Sequence, residues 1–310
     1  VDILEEYHRR PDPYEREGME VPAGMSAEEY GESLHRRAED AGITLLDGMG
    51  FAPGLSNVTL GQAIRQVKAD SAVARVGGIP DHESAARHPL QYMITWSFEH
   101  VLREYMVDVR IMEEGRLAEV KATSGRESFR FAECGVDEML ECAITPGMPS
   151  FLFTRSHLQS FAEKTIRWPG HWQAIDTLKD CGLLDIDPIS FCGQEVRPRD
   201  FFLRMIEPRL LPQPGDMDVC VMWNTAWGSK ARSDCYMWAG ADAQSGLSAM
   251  ARVTASCAAV AARLLAGGVI EEKGIVAPED AIKGEVYASL MKELEKRGIA
   301  VVEKVERIEN

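Results

Sequence analysis

Hydrophobic and polar positions in this chain fall into short blocks with two different periods. Residues 1–26 show neither period; they are polar and irregular, with Pro11, Pro13 and Pro22. Ser26 and Glu29 form a capping box, which opens a helix running to Asp40 and stopping at Gly42. A strand-like run at 43–46 leads into the loop DGMGFAPGLSN, residues 47–57. A helix follows from Ser56 through 67, then a strand at 72–78. In TWSFEHVLREY, Phe98, Val101, Leu102 and Tyr105 share one helical face. VDVRIMEEGRLAEVKA predicts a hairpin that turns at Glu113, Glu114 and Gly115. RESFRF and ECAI are further strands. EKTIRWPGHWQAIDTLKDCGLL predicts a strand, a Trp-Pro-Gly break, a helix over 171–179 and a stop at Gly182. VCVMWNTAWG and SDCYMWAG form two strands around a Gly-Ser turn. SAMARVTASCAAVAARLLAGG is a long alanine-rich helix ended by Gly267 and Gly268. PEDAIKGEVYASLMKELEKRG is a last amphipathic helix and IAVVEKV a closing strand. No repeat is visible. Strands outnumber crossovers in the middle, which predicts an α+β fold: a mixed, largely antiparallel sheet covered by helices.

Composition narrows the function classes. The 310 residues are 45% hydrophobic and 27% charged, ordinary for one large globular domain or two smaller ones. The net charge of -15 comes from dispersed carboxylates, and no basic stripe interleaves with aromatics, so no nucleic-acid partner is expected. No apolar run approaches the ~20 residues of a membrane helix, and no leader is visible, so no membrane partner is expected either. The chain opens at Val1 rather than Met, so a segment upstream is expected. Seven cysteines, odd in number and with no C-x-x-C pair, fit free thiols in a reducing, cytoplasmic compartment. His82, His88 and His100 have neither helical spacing nor a nearby cysteine, so no metal is expected.

The glycine loop invites comparison with a dinucleotide fingerprint and departs from it. Gly48, Gly50 and Gly54 follow G-x-G-x-x-x-G instead of G-x-G-x-x-G. Pro53 removes an amide donor where a diphosphate needs one. Asp70 precedes the second strand rather than ending it, and that strand is expected to run out at Gly77-Gly78. A strand-to-helix corner that needs glycine for its backbone fits better than a phosphate cradle.

GFAPGLSN, RVGGIP, TWSFEHVLREY, EKTIRWPGH, SAMARVTA and GIVAPED occur in that order between about residues 38 and 299. This series resembles the saccharopine dehydrogenase family, and within it the lysine 6-dehydrogenase-like branch. The resemblance implies that residues 1–47 are the remnant of a nucleotide-binding Rossmann domain. Residues 48–275 would be a substrate-binding and dimerisation domain, and 276–310 a helix and strand returning toward the cofactor side. It implies oxidation of a carbon–nitrogen bond of lysine or a related amino acid, with hydride passed to NAD or NADP, in a homodimer. The family's glycine fingerprint is then expected upstream of Val1. The loop becomes the joint between domains, with Phe51, Pro53, Gly54 and Asn57 on the cofactor side. The other reading is a non-catalytic, dimerising or ligand-sensing module derived from that family.

Several side chains are candidates for the chemistry. An alkyl amine ionises near ~10.4, so the site must favour its neutral form. Arg167, ending a strand in RWPGH, is a candidate for a substrate carboxylate, or for a surface ion pair. His171, at a helix start, is a candidate neutral proton acceptor and catalytic group, or a structural cap. Tyr92, Trp96 and Tyr105 either line a sleeve for an alkyl chain or pack the core, and Glu104 either meets an ammonium or faces water. Arg252, a charge in an alanine-rich helix, needs a partner, ligand or interface. Asn57 is either a helix cap or a polar contact. The saccharopine-cleaving branch tends to carry acids where this loop has Ala52 and Ser56. Where relatives read like TDGLRTL, this chain has TPGMPSF, with Pro146 and Pro149 replacing an acid and an arginine; Arg155 is the nearby alternative grip.

Overall fold

A computed structural model describes residues 1–4, 6–11, 20–242 and 244–308; Pro13 lies outside them. The strands are β1 (Thr44–Leu46), β2 (Ser71–Pro80), β3 (Asp108–Glu113), β4 (Arg116–Lys121), β5 (Glu127–Phe131), β6 (Glu138–Ile144) and β7 (Ser160–Arg167). They continue as β8 (Ile189–Phe191), β9 (Gln194–Val196), β10 (Asp218–Trp227), β11 (Ala231–Gly240), β12 (Gly274–Val276) and β13 (Val302–Arg307).

Nine of these strands make one sheet in the order β13-β11-β10-β2-β7-β3-β4, with β6 also on β7 and β5 on β6. Within it β2 and β7 run parallel and the other neighbours antiparallel, as the α+β expectation requires. β1 and β12 form a separate parallel pair, and β8 and β9 a small hairpin. The helix Leu55–Val67 packs on β10 and β11, and the helix Ala249–Ala266 also lies on β10. The latter is long and apolar enough to cross a membrane. Its Ala249, Val253, Cys257, Val260 and Ala261 form a stripe at helical spacing, buried with Cys220, Met222 and Met237 of the sheet.

Several boundaries differ from the sequence reading. β2 does not stop at Gly77-Gly78 but runs through both to Pro80, pairing Gly77 with Val221 and Gly78 with Cys220. The glycines answer crowding: a Cβ on Gly77 would lie 2.6 Å from the Ile166 carbonyl, and one on Gly78 would lie 2.2 Å from Met250 Cε. The helix in TWSFEHVLREY begins only at Phe98, capped by Ser97, so Trp96 precedes it. The last amphipathic helix is split into Pro278–Ala281 and Glu285–Glu295, with Gly284 at φ 58° between them. A helix at Pro198–Leu210 was not anticipated. Its apolar residues form no clean stripe, because Phe201 and Met205 face outward while Phe202, Leu203 and Ile206 pack inward. All seven cysteines are unpaired.

Candidate functional site

The corner after β1 is built by its own backbone. Gly50 N–H donates to the Pro53 carbonyl at 2.8 Å, and Leu55 N–H to the Gly50 carbonyl at 2.9 Å. Gly54 sits at φ 131°, where a Cβ would lie 2.1 Å from the Gly50 oxygen, so only glycine fits. Asn57 fixes the turn. Its Oδ1 accepts from Gly54 N–H at 2.9 Å, and its Nδ2 donates to Ser150 Oγ at 3.1 Å and Glu279 Oε2 at 3.2 Å. Ahead of the corner, Asp2 N–H donates to the Leu46 carbonyl, which lays the first residues alongside β1.

In front of this corner lies a cavity of about 530 Å³. One wall is apolar: Ile3, Phe51, Ala52 and Pro53, with Met250, Ala251, Thr254, Ala255 and Ala258 of the alanine-rich helix. The floor is the glycine pair of β2. The opposite wall is ionic. Glu163, Thr165 and Arg167 alternate along β7 and so share one face, joined by Glu104 from the helix Phe98–Glu104 and by Thr95. Glu104, Glu163 and Arg167 are 5%, 4% and 3% exposed, so three ionisable groups are buried together in its lining. Glu163 Oε2 accepts from Thr145 Oγ1 at 2.6 Å and from Gly147 N–H at 3.2 Å. The loop TPGMPSF therefore wraps this carboxylate, and it presents Gly147 to the cavity.

Arg167 is held from behind. Its Nε donates to Tyr105 Oη at 2.9 Å and its Nη1 to the Ile166 carbonyl at 3.0 Å, and the guanidinium lies 5.2 Å from the Tyr92 ring centre. Burial works against this charge, but the oxygens of Tyr105, Tyr92 and Glu104 outweigh it and raise the Arg167 pKa. His171 completes the chain. Its Nδ1 faces the Leu90 carbonyl at 2.9 Å, so Nδ1 carries the proton and Nε2 accepts from the Tyr105 hydroxyl at 3.2 Å. Burial first, and then Arg167, lower the His171 pKa to about 3, so the ring is neutral. Burial likewise pushes the Tyr92 hydroxyl up to about 12.

The candidates thus separate into groups. Phe51, Pro53, Trp96, Glu104 and Arg167 line the cavity. Gly54 and Asn57 shape the corner behind it. Tyr92, Tyr105 and His171 form a buried layer behind Arg167, so His171 is not placed to touch a ligand in the cavity; it orients Tyr105. Arg252 points elsewhere: it donates to the carbonyls of Arg297 at 2.8 Å and Gly240 at 2.7 Å, joining the helix Ala249–Ala266 to the C-terminal segment. Arg155 is also absent from the cavity wall, bonded instead to Asp280 at 2.7 Å. The sequence reading missed Glu163, Thr165 and Gly147. The signal was there, because Glu163, Thr165 and Arg167 stand at i, i+2 and i+4 of a strand and form a polar face.

Among the described residues, Asp2, His8 and Asp47 cluster with a metal-like spacing. Their atoms serve each other. Asp2 Oδ1 accepts from Gly48 N–H at 2.9 Å, and His8 Nδ1 lies 2.8 Å from Asp47 Oδ1. The Asp47 hydrogen bond raises the His8 pKa to about 9, so the two groups form an ion pair.

The corner has few amides left for a dinucleotide's diphosphate. Pro53 has no N–H, and the amides of Gly48, Met49, Gly50, Gly54, Leu55 and Ser56 already donate within the chain. The glycines serve shape.

Fold and site together define an α+β domain built around a small ionic cavity. The chain belongs to the saccharopine dehydrogenase C-terminal domain family, whose profile matches residues 50–299. It is similar to the saccharopine dehydrogenase [NADP(+), L-glutamate-forming] of Pyricularia oryzae, 23% identical across 88% of this chain and 76% of that protein. It is also similar to mitochondrial alpha-aminoadipic semialdehyde synthase of Bos taurus, at 23% identity over 86% of this chain, and of Mus musculus, at 25% over 53%. The chain spans only 36% and 19% of those two proteins. Apo saccharopine dehydrogenase (L-Glu forming) from Saccharomyces cerevisiae shares the fold, with a TM-score of 0.71 and 18% identity, over 93% of this chain and 78% of that one.

Proposed function

We propose that this chain forms the substrate side of an NAD(P)-dependent oxidoreductase that acts on a carbon–nitrogen bond of lysine or a similar amino acid. The observation that carries this reading is the pairing of Glu104 and Glu163 with Arg167 in an enclosed cavity opposite an apolar wall. A bound nicotinamide would supply hydride acceptance. The residues of this chain do the rest. The alanine-rich wall takes an alkyl chain and keeps water out. Glu104 and Glu163 attract an ammonium and are the carboxylates at hand for its proton. Arg167, with Nε and Nη1 already committed, offers a one-point grip on a carboxylate and not a bidentate one.

The charge count refines the substrate. The wall offers two carboxylates against one guanidinium, and TPGMPSF adds no charged side chain. Such a site favours an amine bearing a single carboxylate over a polycarboxylate opine. The test is amine-dependent reduction of NAD or NADP by the full-length protein across diamino acids, opines and polyamine precursors. Turnover of a lysine-like amine supports the reading, and no turnover across the panel contradicts it.

One observation favours a second reading, a non-catalytic ligand-sensing module: the corner offers no phosphate cradle. That module would bind amines yet reduce no nicotinamide in the same assay. A homodimer is proposed in either case, supported by the exposed Ile189, Phe191, Phe201 and Met205 in the segment around β8, β9 and the helix Pro198–Leu210. Light scattering that gives a monomer mass at micromolar concentration would contradict it.

A further inference from the structure

The helix Leu55–Val67 runs from the ionic cavity to a second concavity at its C-terminal end. Its 13 residues place the two roughly 20 Å apart. This groove encloses about 540 Å³ and is lined by Arg65, Lys68, Arg155, His157, Asp280 and Lys283, together with Ile64 and Ala69. Four side chains that are always or nearly always cationic thus face one carboxylate, in a chain of net charge -15.

Nearby acids do not cancel the surplus. Glu279 is adjacent, but its carboxylate turns inward, accepting from Asn57, Ser150 and Thr154. Only its backbone carbonyl faces the arginines, taking Arg65 Nη1 at 3.0 Å and Arg155 Nη2 at 2.9 Å. Asp280 holds Arg155, and Glu272 stands 3.5 Å from Lys283. The hydrogen bonds of Arg65 go to that carbonyl and to Gln62 Oε1, both uncharged. Among the described residues no carboxylate lies within ion-pair distance of Arg65 or Lys68. Glu303, beyond Lys283, is bonded to Tyr287. Burial, and then the charge of Arg155, lower the Arg65 pKa, and the charges of Asp280 and Glu279 offset them only in part. A helix C-terminus carries about half a negative charge, which one cation offsets; it does not account for both Arg65 and Lys68.

We propose that this groove is a second ligand site, taking a small anion with two or more negative charges, of phosphate or polycarboxylate chemistry. Buried Arg155 forms the fixed back wall, and exposed Arg65, Lys68 and Lys283 close on the ligand from the rim. The site is independent of the cavity and of the reaction proposed there.

The test is calorimetric titration of the full chain with inorganic pyrophosphate and, separately, with citrate. The proteins compared are the wild type, a double variant Lys68→Gln/Lys283→Gln, and Glu163→Gln as a cavity control. The expected result is saturable binding that weakens at least tenfold in the double variant, persists in the control and fades with added sodium chloride. Tighter pyrophosphate assigns the site to phosphate chemistry, and citrate at least as tight assigns it to polycarboxylates. Absence of saturable binding of either anion overturns the proposal, as does binding that the double variant leaves unchanged. The two lysines are exposed and buried in nothing, so the double variant is expected to melt with the wild type, which circular dichroism checks.

Discussion

The two ends of the helix Leu55–Val67 present opposite designs. At its N-terminal end the chain shapes a cavity, buries two glutamates and one arginine, and commits most of its corner amides to itself. At its C-terminal end it leaves a groove open and lets cations accumulate. The difference lies in what surrounds each charge. In the cavity two of the three ionised groups have structural neighbours that fix them: Thr145 and Gly147 on Glu163, Tyr105 and Tyr92 on Arg167. In the groove Arg65 rests on uncharged atoms and Lys68 is exposed. Enclosure with fixed charges suits chemistry, because electrostatic attraction strengthens as water leaves. An open surplus of one sign suits reversible binding of an ion.

That contrast can be broken by substitution. The largest effect is expected from Glu163→Gln, which keeps the shape of the cavity and cancels its net negative charge. Amine-dependent turnover should fall by about 10²–10⁴-fold, the range for loss of a general acid or base, while the melting temperature changes little. A kcat within a factor of three of wild type would remove Glu163 from the chemistry. Next is the corner. Gly54→Ala places a Cβ against the Gly50 oxygen at a φ that L residues avoid, and should cost about 3–4 kcal/mol in urea unfolding. A loss below about 1 kcal/mol would show that the corner can relax.

Tyr105→Phe separates Arg167 from His171. It leaves Arg167 Nε and His171 Nε2 without their partner, for a loss of about 1–3 kcal/mol in stability. KM should rise more than kcat falls, since the guanidinium loses its orientation and not its charge. His171→Gln should reproduce that KM pattern if the ring positions Tyr105. A loss of kcat alone would return His171 to a proton-transfer role.

The smallest effect concerns pH at the entrance to the corner. His8 has its pKa raised to about 9 by Asp47, against about 6.5 unfolded. A raised folded-state pKa gives stability that is fully present below pH 6.5 and is lost as the pH climbs through 9. With the ring partly exposed, about 1–2 kcal/mol is expected over that window, and His8→Gln should flatten the slope. Parallel curves for the two proteins would deny the ion pair its role.

Much of this architecture was legible in the sequence, for identifiable reasons. The capping box at Ser26 and Glu29 is local chemistry, and it forms as read. The Glu114-Gly115 turn is equally local. Gly77 and Gly78 misled because their cause is remote: the Ile166 backbone demands glycine at 77 and the tip of Met250 fills the space at 78, both from other elements, inside an unbroken strand. The helix Pro198–Leu210 escaped because exposed Phe201 and Met205 blur its periodicity. In the cavity, Arg167 and Glu104 stood out as charges among apolar neighbours. Glu163 and Thr165 did not, because attention fell on the Trp-Pro-Gly break and not on the alternation before it. Tyr92 and Tyr105 were read as wall or core and His171 as a proton acceptor or cap, and only their contacts in the fold show them to be the brace behind the wall.

The account rests on the cavity being a receptor for a cationic amine. The most direct test is titration of the full chain, with NAD or NADP present, with L-lysine and with the polycarboxylate saccharopine, in wild type and Glu163→Gln. Saturable lysine binding that weakens at least tenfold in the variant, with saccharopine the poorer ligand, is the predicted result. Saccharopine binding tighter than lysine, or lysine binding that ignores the loss of the Glu163 charge, would contradict it.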